Sequence, residues 1–124
     1  MIHIKPCSFS DIAPYLELAR RERIGVTPNT TFYLARYNSE PAGFCGIAFK
    51  KDYAVLKNIW VKPEFRRKGI GKTIIQYQIK TAKTNGCSFA RAFCTPMSLN
   101  IFLKNGATVV REYKYSTTVE IRFK

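Results

Sequence analysis

Residues 55–73 join a strand, a glycine-bearing turn and a helix in an order that restricts what the chain can form. The apolar segment Val55–Val61 leads into a basic turn with two glycines, and an amphipathic helix follows. Free main-chain N–H groups at a helix N-terminus bind phosphate, and glycine lets the main chain approach a ligand closely. The sequence therefore predicts a loop that binds a phosphorylated ligand, in particular a diphosphate.

Two common phosphate-loop patterns fail here, each at one required residue. Gly71, Lys72 and Thr73 supply the end of the Walker pattern, but Arg66 stands where that pattern needs its first glycine. The dinucleotide-binding fingerprint needs a third glycine at the position of Ile74. These mismatches argue against a P-loop nucleoside triphosphatase and against a dinucleotide-binding enzyme.

A third pattern, Arg/Gln-x-x-Gly-x-Gly/Ala, is matched in full by Arg66, Gly69 and Gly71. The segment resembles the acyl-CoA pyrophosphate loop of the GNAT superfamily of N-acyltransferases, and Val61 and Pro63 resemble that family's lead-in to the loop. The alternative is a basic turn that serves only solubility.

The resemblance implies how acetyl-CoA, the acyl donor, would be held. The end of the predicted strand Val55–Val61, the fourth in the chain, would pair with the pantetheine arm and polarise the thioester carbonyl, and the loop would hold the pyrophosphate. The implied cofactor-binding residues are Ile59, Trp60, Val61, Arg66, Arg67, Lys68, Gly69, Ile70, Gly71, Lys72, Thr73, Thr95 and Phe102.

A second family motif follows the fifth predicted strand, Ser88–Cys94, with its spacing kept and several identities changed. Lys104 and Gly106 match the family's lysine and glycine. Thr95 takes the asparagine position, Ser98 the alanine position and Phe102 the position of a tyrosine that often protonates the departing thiolate. Phe102 has no proton to donate, so the resemblance implies a reaction without that acid.

The catalytic residues are not identified by the sequence. No carboxylate lies in the middle of the fourth or fifth strand, where the family commonly has a glutamate. Asn58 is a weak candidate for ordering a water molecule, and Cys94 is a weak candidate for accepting an acyl group. The alternatives are a packing role for Asn58 and a buried structural thiol at Cys94.

Composition limits the class of protein. The chain has 124 residues, which predicts one domain spanning 1–124, and 46% hydrophobic residues argue against disorder. No apolar run approaches the length of a membrane span, and four cysteines without C-x-x-C pairing, with one histidine, predict no metal site. We therefore expect a cytoplasmic protein.

Two hypotheses about function follow. In the first, the protein transfers an acetyl group from acetyl-CoA directly to a primary amine of a small molecule, a peptide or an aminoacyl-tRNA. In the second, it is a non-catalytic module of the same fold that binds CoA, RNA or another acidic partner. The net charge of +13 allows contact with RNA or the ribosome, or reflects a solvated basic surface. A homodimer is a further option.

Hydrophobic periodicity and turn residues predict the element order β-α-β-β-β-α-β-α-β-β. This order implies an α/β (α+β) fold with a central mixed, mostly antiparallel sheet and helices on both faces. It matches the GNAT fold over nearly the whole chain. The predicted strands are Ile2–Lys5, Thr31–Tyr37, Gly43–Lys50, Val55–Val61, Ser88–Cys94, Ala107–Tyr113 and Thr117–Phe123, and the predicted helices run from Ser8 to near Gly25, from Gly69 to Thr84 and from Thr95 to Lys104.

Overall fold

The computed structural model describes residues 1–27 and 29–124 and confirms the predicted order of elements. The strands are β1 (Ile2–Cys7), β2 (Thr31–Tyr37), β3 (Glu40–Phe49), β4 (Tyr53–Val61), β5 (Phe89–Cys94), β6 (Thr108–Glu112) and β7 (Thr117–Arg122). The helices are α1 (Phe9–Ile12), α2 (Leu16–Arg21), α3 (Ile70–Thr84) and α4 (Pro96–Lys104), with 3₁₀ turns at Ala13–Tyr15 and Pro63–Phe65.

The strands form one seven-stranded sheet in the order β1-β2-β3-β4-β5-β7-β6. Neighbouring strands are antiparallel except for β4 and β5, which run parallel. A parallel pair needs a crossover connection, and α3 supplies it. The carboxyl ends of β4 and β5 therefore lie at the same edge of the sheet, beside the start of α3.

Helices cover both faces of the sheet, as predicted. The apolar face of α3 and the side chain of Phe102 in α4 pack on one face and form the main core. On the other face, Ile12 and Ala19 from α1 and α2 pack against Phe32, Phe44 and Trp60 to form a second core. Strand β4 contributes to both cores: Ala54 and Leu56 pack in the main core, whereas Trp60 packs in the second, because an extra β4 residue between Leu56 and Trp60 reverses the alternation of side chains.

The first helical region differs from its prediction in two ways. Pro14 breaks it into α1, a 3₁₀ turn and α2, since proline cannot donate the hydrogen bond that a continuous helix needs. It ends at Arg21 rather than near Gly25. Arg23 is left-handed with φ of 65°, and the N–H of Ile24 donates to the carbonyl of Ala19 over 3.0 Å, which is a Schellman ending without glycine.

Strands β1 and β3 extend beyond the prediction because each includes a proline where a sheet tolerates one, at the edge of the sheet in β1 and beside the β2–β3 register shift in β3. Strand β4 also begins earlier than predicted, at Tyr53. β1 continues through Pro6 to Cys7, and it is the edge strand of the sheet. β3 begins at Glu40 and includes Pro41. Asn38 and Ser39 alone form the turn between β2 and β3, and both have positive φ, which suits a two-residue hairpin turn.

We expect Gly43→Ala to lower the free energy of unfolding by about 2 kcal/mol, because the added methyl group overlaps neighbouring main chain. A Cβ atom at Gly43 would collide with the carbonyl oxygen of Trp60 and lie 3.1 Å from the Cα of Val61. Gly25→Ala is the matched control, since a Cβ atom there would meet nothing within 4 Å. Chemical denaturation of both variants tests this, and equal stabilities would contradict it.

Candidate functional site

A gap opens between β4 and β5 at the edge where both strands end. Their parallel pairing stops at Leu56 and Ala92, although β4 continues to Val61 and β5 continues to Cys94. Beyond that point β5 stays paired with β7, up to Cys94 opposite Thr117. The last residues of β4 therefore have no strand neighbour on the β5 side, so main-chain groups there are available to a ligand.

A bulge in β4 coincides with the start of this gap. Gly46 of β3 pairs with Lys57, whereas Phe44 pairs with Trp60, so an extra β4 residue is accommodated between them. Asn58 lies in the bulge with a left-handed φ of 58°. A bulge bends its strand and increases the local twist, which directs the end of β4 away from β5.

Hydrogen bonding around the end of β4 shows which main-chain groups face the gap. The N–H of Lys62 donates to the carbonyl of Ala42 over 2.7 Å, on the β3 side. Because N–H directions alternate along a strand, the N–H of Val61 points towards the gap. The side chain of Trp60 instead lies in the second core and is only 2% exposed.

The loop before α3 has the conformation of an anion-binding turn. Arg67 and Gly69 are both left-handed, with φ of 65° and 78°. No acceptor in the described part of the chain meets the N–H groups of Arg67, Lys68 and Gly69, and the first turn of α3 leaves further N–H groups free. A Cβ atom on Gly69 or Gly71 would meet nothing within 4 Å, so both glycines border open space. These features fit a pyrophosphate group.

Cations surround this open space, but they are not equivalent. Arg67, Lys68 and Lys72 are exposed and can turn towards an anion. Arg66 is already engaged: its Nε donates to the carbonyl of Val61 over 3.0 Å, and its Nη2 contacts the carboxylate of Glu22. Arg66 therefore ties the loop to the end of β4, and its charge is partly balanced before any ligand arrives.

Glu22 joins the loop to the second core. Besides Arg66, its carboxylate accepts a hydrogen bond of 2.8 Å from the indole N–H of Trp60. The hydrogen bond from Trp60, followed by the contact with Arg66, holds the pKa of Glu22 below its ordinary value. The single tryptophan of the chain is therefore coupled through one carboxylate to the loop that would bind phosphate.

We expect Glu22→Gln to reduce stability at neutral pH but not at acidic pH. Glu22 has a lowered pKa in the folded state, so its stabilisation is present above the unfolded-state pKa and is lost as pH falls through the folded one. The Arg66 and Glu22 side chains are 41% and 39% exposed. Solvent screening therefore limits the effect to about 1 kcal/mol or less. Thermal melts of both proteins at neutral and strongly acidic pH test this; an equal loss at both pH values would contradict it.

The predicted residues after β5 lie at the other side of the gap. Thr95 is the exposed N-cap of α4, and its carbonyl accepts the N–H groups of Ser98 and Leu99 over 3.1 and 3.0 Å. Phe102 is 1% exposed and packs in the main core. Burial raises the pKa of the Cys94 thiol to about 11, so little reactive thiolate exists at neutral pH.

Asn58 is held by the segment that follows α2. Its Nδ2 donates to the carbonyl of Gly25, and its buried Oδ1 has no hydrogen-bond partner in the described part of the chain.

Neither strand segment lining the gap, 57–61 of β4 and 92–94 of β5, contains a carboxylate. The described residues also contain no group of three or more His, Cys, Asp or Glu side chains that could hold a metal ion.

Sequence reasoning missed two residues at this site. Glu22 gives no sequence signal, because its contacts with Trp60 and Arg66 join parts of the chain that are far apart in sequence. Gln78 does give one, since it is a polar residue on the stripe of α3 that also carries Ile74 and Ala82. It is fully buried and donates to main-chain carbonyls at the bulge.

Comparison with known proteins identifies the group of proteins that shares these features. The family sequence model of the acetyltransferase (GNAT) family matches residues 2–101 of this chain. A comparison with curated protein sequences finds no match. Among the helices that the structure describes, none is both long enough and apolar enough to cross a membrane.

Solved structures of the same fold include complexes with CoA. The ribosomal-protein-S18-alanine N-acetyltransferase from Escherichia coli has a TM-score of 0.83 and 14% identity, over 100% of this chain and 95% of that one. The PaiA N-acetyltransferase from Thermoplasma acidophilum, in complex with coenzyme A, has a TM-score of 0.78 and 20% identity, over 98% and 99%. A GNAT family acetyltransferase from Elizabethkingia anophelis with acetyl-CoA bound has a TM-score of 0.71 and 19% identity, over 98% and 97%.

Proposed function

Because this chain belongs to the GNAT acetyltransferase family, we propose that it transfers an acetyl group from acetyl-CoA to a primary amine by direct transfer in a ternary complex. The observation that carries this proposal is the gap between β4 and β5, which ends beside a loop with free N–H groups. The extended pantetheine arm of acetyl-CoA fits between the separated strands, and its diphosphate fits the loop.

Each part of the site has a distinct role in this proposal. When bound, acetyl-CoA supplies the activated acetyl thioester. Exposed Lys68 and Lys72 and the N–H groups of the loop hold the pyrophosphate. The N–H of Val61, directed into the gap, donates to the thioester carbonyl and stabilises the negative charge that develops there. Ile59 and Trp60 supply neighbouring main chain along the same strand.

The proposed reaction depends on positioning rather than on a strong acid or base. The C–N bond forms as the C–S bond breaks, and the proton released from the amine passes to solvent, because strand segments 57–61 and 92–94, which line the gap, contain no carboxylate. Phe102 cannot protonate the departing thiolate, but a thiol with a pKa of about 8.5 leaves without that help. Asn58 lies in the β4 bulge and is the candidate for ordering a water molecule.

The acceptor class stays as broad as the sequence predicted: a primary amine of a small molecule, a peptide or an aminoacyl-tRNA. In the described part of the chain, no observation favours the alternative of a non-catalytic module that binds CoA or RNA. The four free cysteines support a reducing compartment such as the cytoplasm.

Titration with acetyl-CoA tests the donor half of this proposal. The readouts are the fluorescence of Trp60, which is linked to the loop through Glu22 and Arg66, and the melting temperature. ATP–magnesium and NAD are the controls. We expect a saturable response to acetyl-CoA alone; equal responses to all three ligands would indicate a general anion site instead.

Release of free CoA thiol in the presence of an amine panel tests the acceptor half. The panel contains polyamines, amino acids, peptides with free N-termini and an aminoacyl-tRNA. We expect at least one amine to accelerate CoA release above the rate of hydrolysis. Binding of acetyl-CoA without release by any member of the panel would contradict catalysis while leaving the donor site in place.

A further inference from the structure

Gln78 is a fully buried polar residue in the middle of α3. The helix turns the same face, with Ile74, Ile75 and Ala82, into the main core. Burying an amide costs free energy unless it is hydrogen-bonded, so an aliphatic side chain is the simpler choice at such a position. The contacts of this amide indicate why the core carries it.

The amide of Gln78 donates to two main-chain carbonyls on neighbouring strands. Its Nε2 lies 2.9 Å from the carbonyl oxygen of Gly46 in β3 and 3.2 Å from that of Lys57 in β4. Both interactions need an N–H donor, so the orientation of the amide is determined. Its Oε1 is buried and has no partner in the described part of the chain. The side chain is therefore used as a donor and not as an acceptor.

These two carbonyls lie where the sheet changes its pairing. Gly46 and Lys57 are opposite each other at the point where the β3–β4 register shifts. Lys57 is also the first β4 residue beyond Leu56 and Ala92, the last pair between β4 and β5. A strand that leaves its neighbour must satisfy its main-chain groups in another way, because unpaired buried carbonyls are costly. One side chain from α3 supplies the missing donor at this junction.

We propose that Gln78 is a positioning residue that fixes the β4 bulge and thereby keeps the gap between β4 and β5 open for the extended arm of the acyl donor. The inference rests on the proposed function. Gln78 acts through the main chain of Gly46 and Lys57 and does not itself touch the ligand. Without the amide, the β4 main chain relaxes from the bulge, and the N–H of Val61 loses its fixed direction.

The test separates the gap from the phosphate loop by using two ligands. Acetyl-CoA needs both the loop and the gap, whereas 3′-phospho-ADP, the nucleotide portion of CoA, needs only the loop. Gln78→Met keeps the length of the side chain but removes the donor, and Gln78→Leu is a second variant in case the first does not fold. Gln76→Leu is the matched control, because Gln76 is exposed on the same helix.

We expect Gln78→Met to bind acetyl-CoA at least tenfold more weakly than the wild type while binding 3′-phospho-ADP within about twofold, a tenfold loss being equivalent to about 1.4 kcal/mol. Gln76→Leu should bind both ligands as the wild type does. Unchanged acetyl-CoA affinity in a folded Gln78 variant would overturn the inference, as would equal losses for the two ligands. Failure of the wild type to bind acetyl-CoA would instead overturn the proposed function and this inference with it.

Discussion

Gly71→Glu is expected to weaken acetyl-CoA binding by about a hundredfold, which corresponds to losing two charge-assisted hydrogen bonds of about 1.5 kcal/mol each. Gly71 lies in the first turn of α3 and borders open space. A carboxylate there would occupy the phosphate path and repel the ligand. Negative charge near a helix N-terminus is favourable, so the folded state should keep its stability. Isothermal titration with acetyl-CoA and a thermal melt measure the two effects.

Gln76→Glu is the control for charge, because it introduces the same carboxylate at an exposed position further along α3. Gly69→Glu blocks the same path but is a less clean test. Gly69 has a φ of 78°, where a side chain adds strain of about 1–2 kcal/mol. Normal acetyl-CoA affinity in a folded Gly71→Glu variant would show that the loop does not bind the pyrophosphate.

The second large effect concerns pH. With an aliphatic primary amine, kcat/KM is expected to rise about tenfold per pH unit, or about a hundredfold between pH 7 and pH 9, because only the neutral amine reacts and its pKa is about 10.4. Strand segments 57–61 and 92–94, which line the gap, contain no carboxylate to remove the proton at lower pH. Glu22, with its lowered pKa, is already ionised across this range and adds no step to the profile.

An aryl amine is the control for this profile, because it is neutral throughout the same pH range. Its kcat/KM should be nearly independent of pH. If the aliphatic amine gave a plateau near neutral pH instead of a continuous rise, a general base with its own pKa would be present. Steady-state measurement of CoA release from pH 6 to pH 9.5 with both amines distinguishes these outcomes.

The local features of this chain were accessible from the sequence because they depend on neighbouring residues. The segment Ile70–Thr84 forms the predicted helix, one residue after its predicted start. Asn38 and Ser39 form the hairpin turn between two predicted strands, in a segment whose Asn, Ser and Pro residues favour a turn. Boundaries were less accurate at β1, where the edge position made Pro6 acceptable, and at α2, where Arg23 adopts the left-handed ending expected at Gly25.

The loop before α3 was accessible for the same reason, because its glycines, its cations and the following helix are contiguous. Its binding of phosphate stays a prediction. The contacts of Arg66 were not accessible from the sequence. As a motif residue it was expected to supply charge to the ligand, but its guanidinium reaches Glu22 and the carbonyl of Val61. An interaction with a residue so distant in sequence depends on how the helices before β2 fold onto β4.

By itself, the sequence determined the order of strands and helices, the basic, glycine-bearing loop at residues 66–73 and the absence of a proton donor at Phe102. Each of these follows from residue identity, local spacing or backbone preference. Only the tertiary structure decided that β4 bulges at Asn58, that its pairing with β5 stops at Leu56, and that Gln78 donates to the carbonyls at that junction. Register between strands and the partners of a buried amide depend on contacts across the sheet, and no local pattern encodes those.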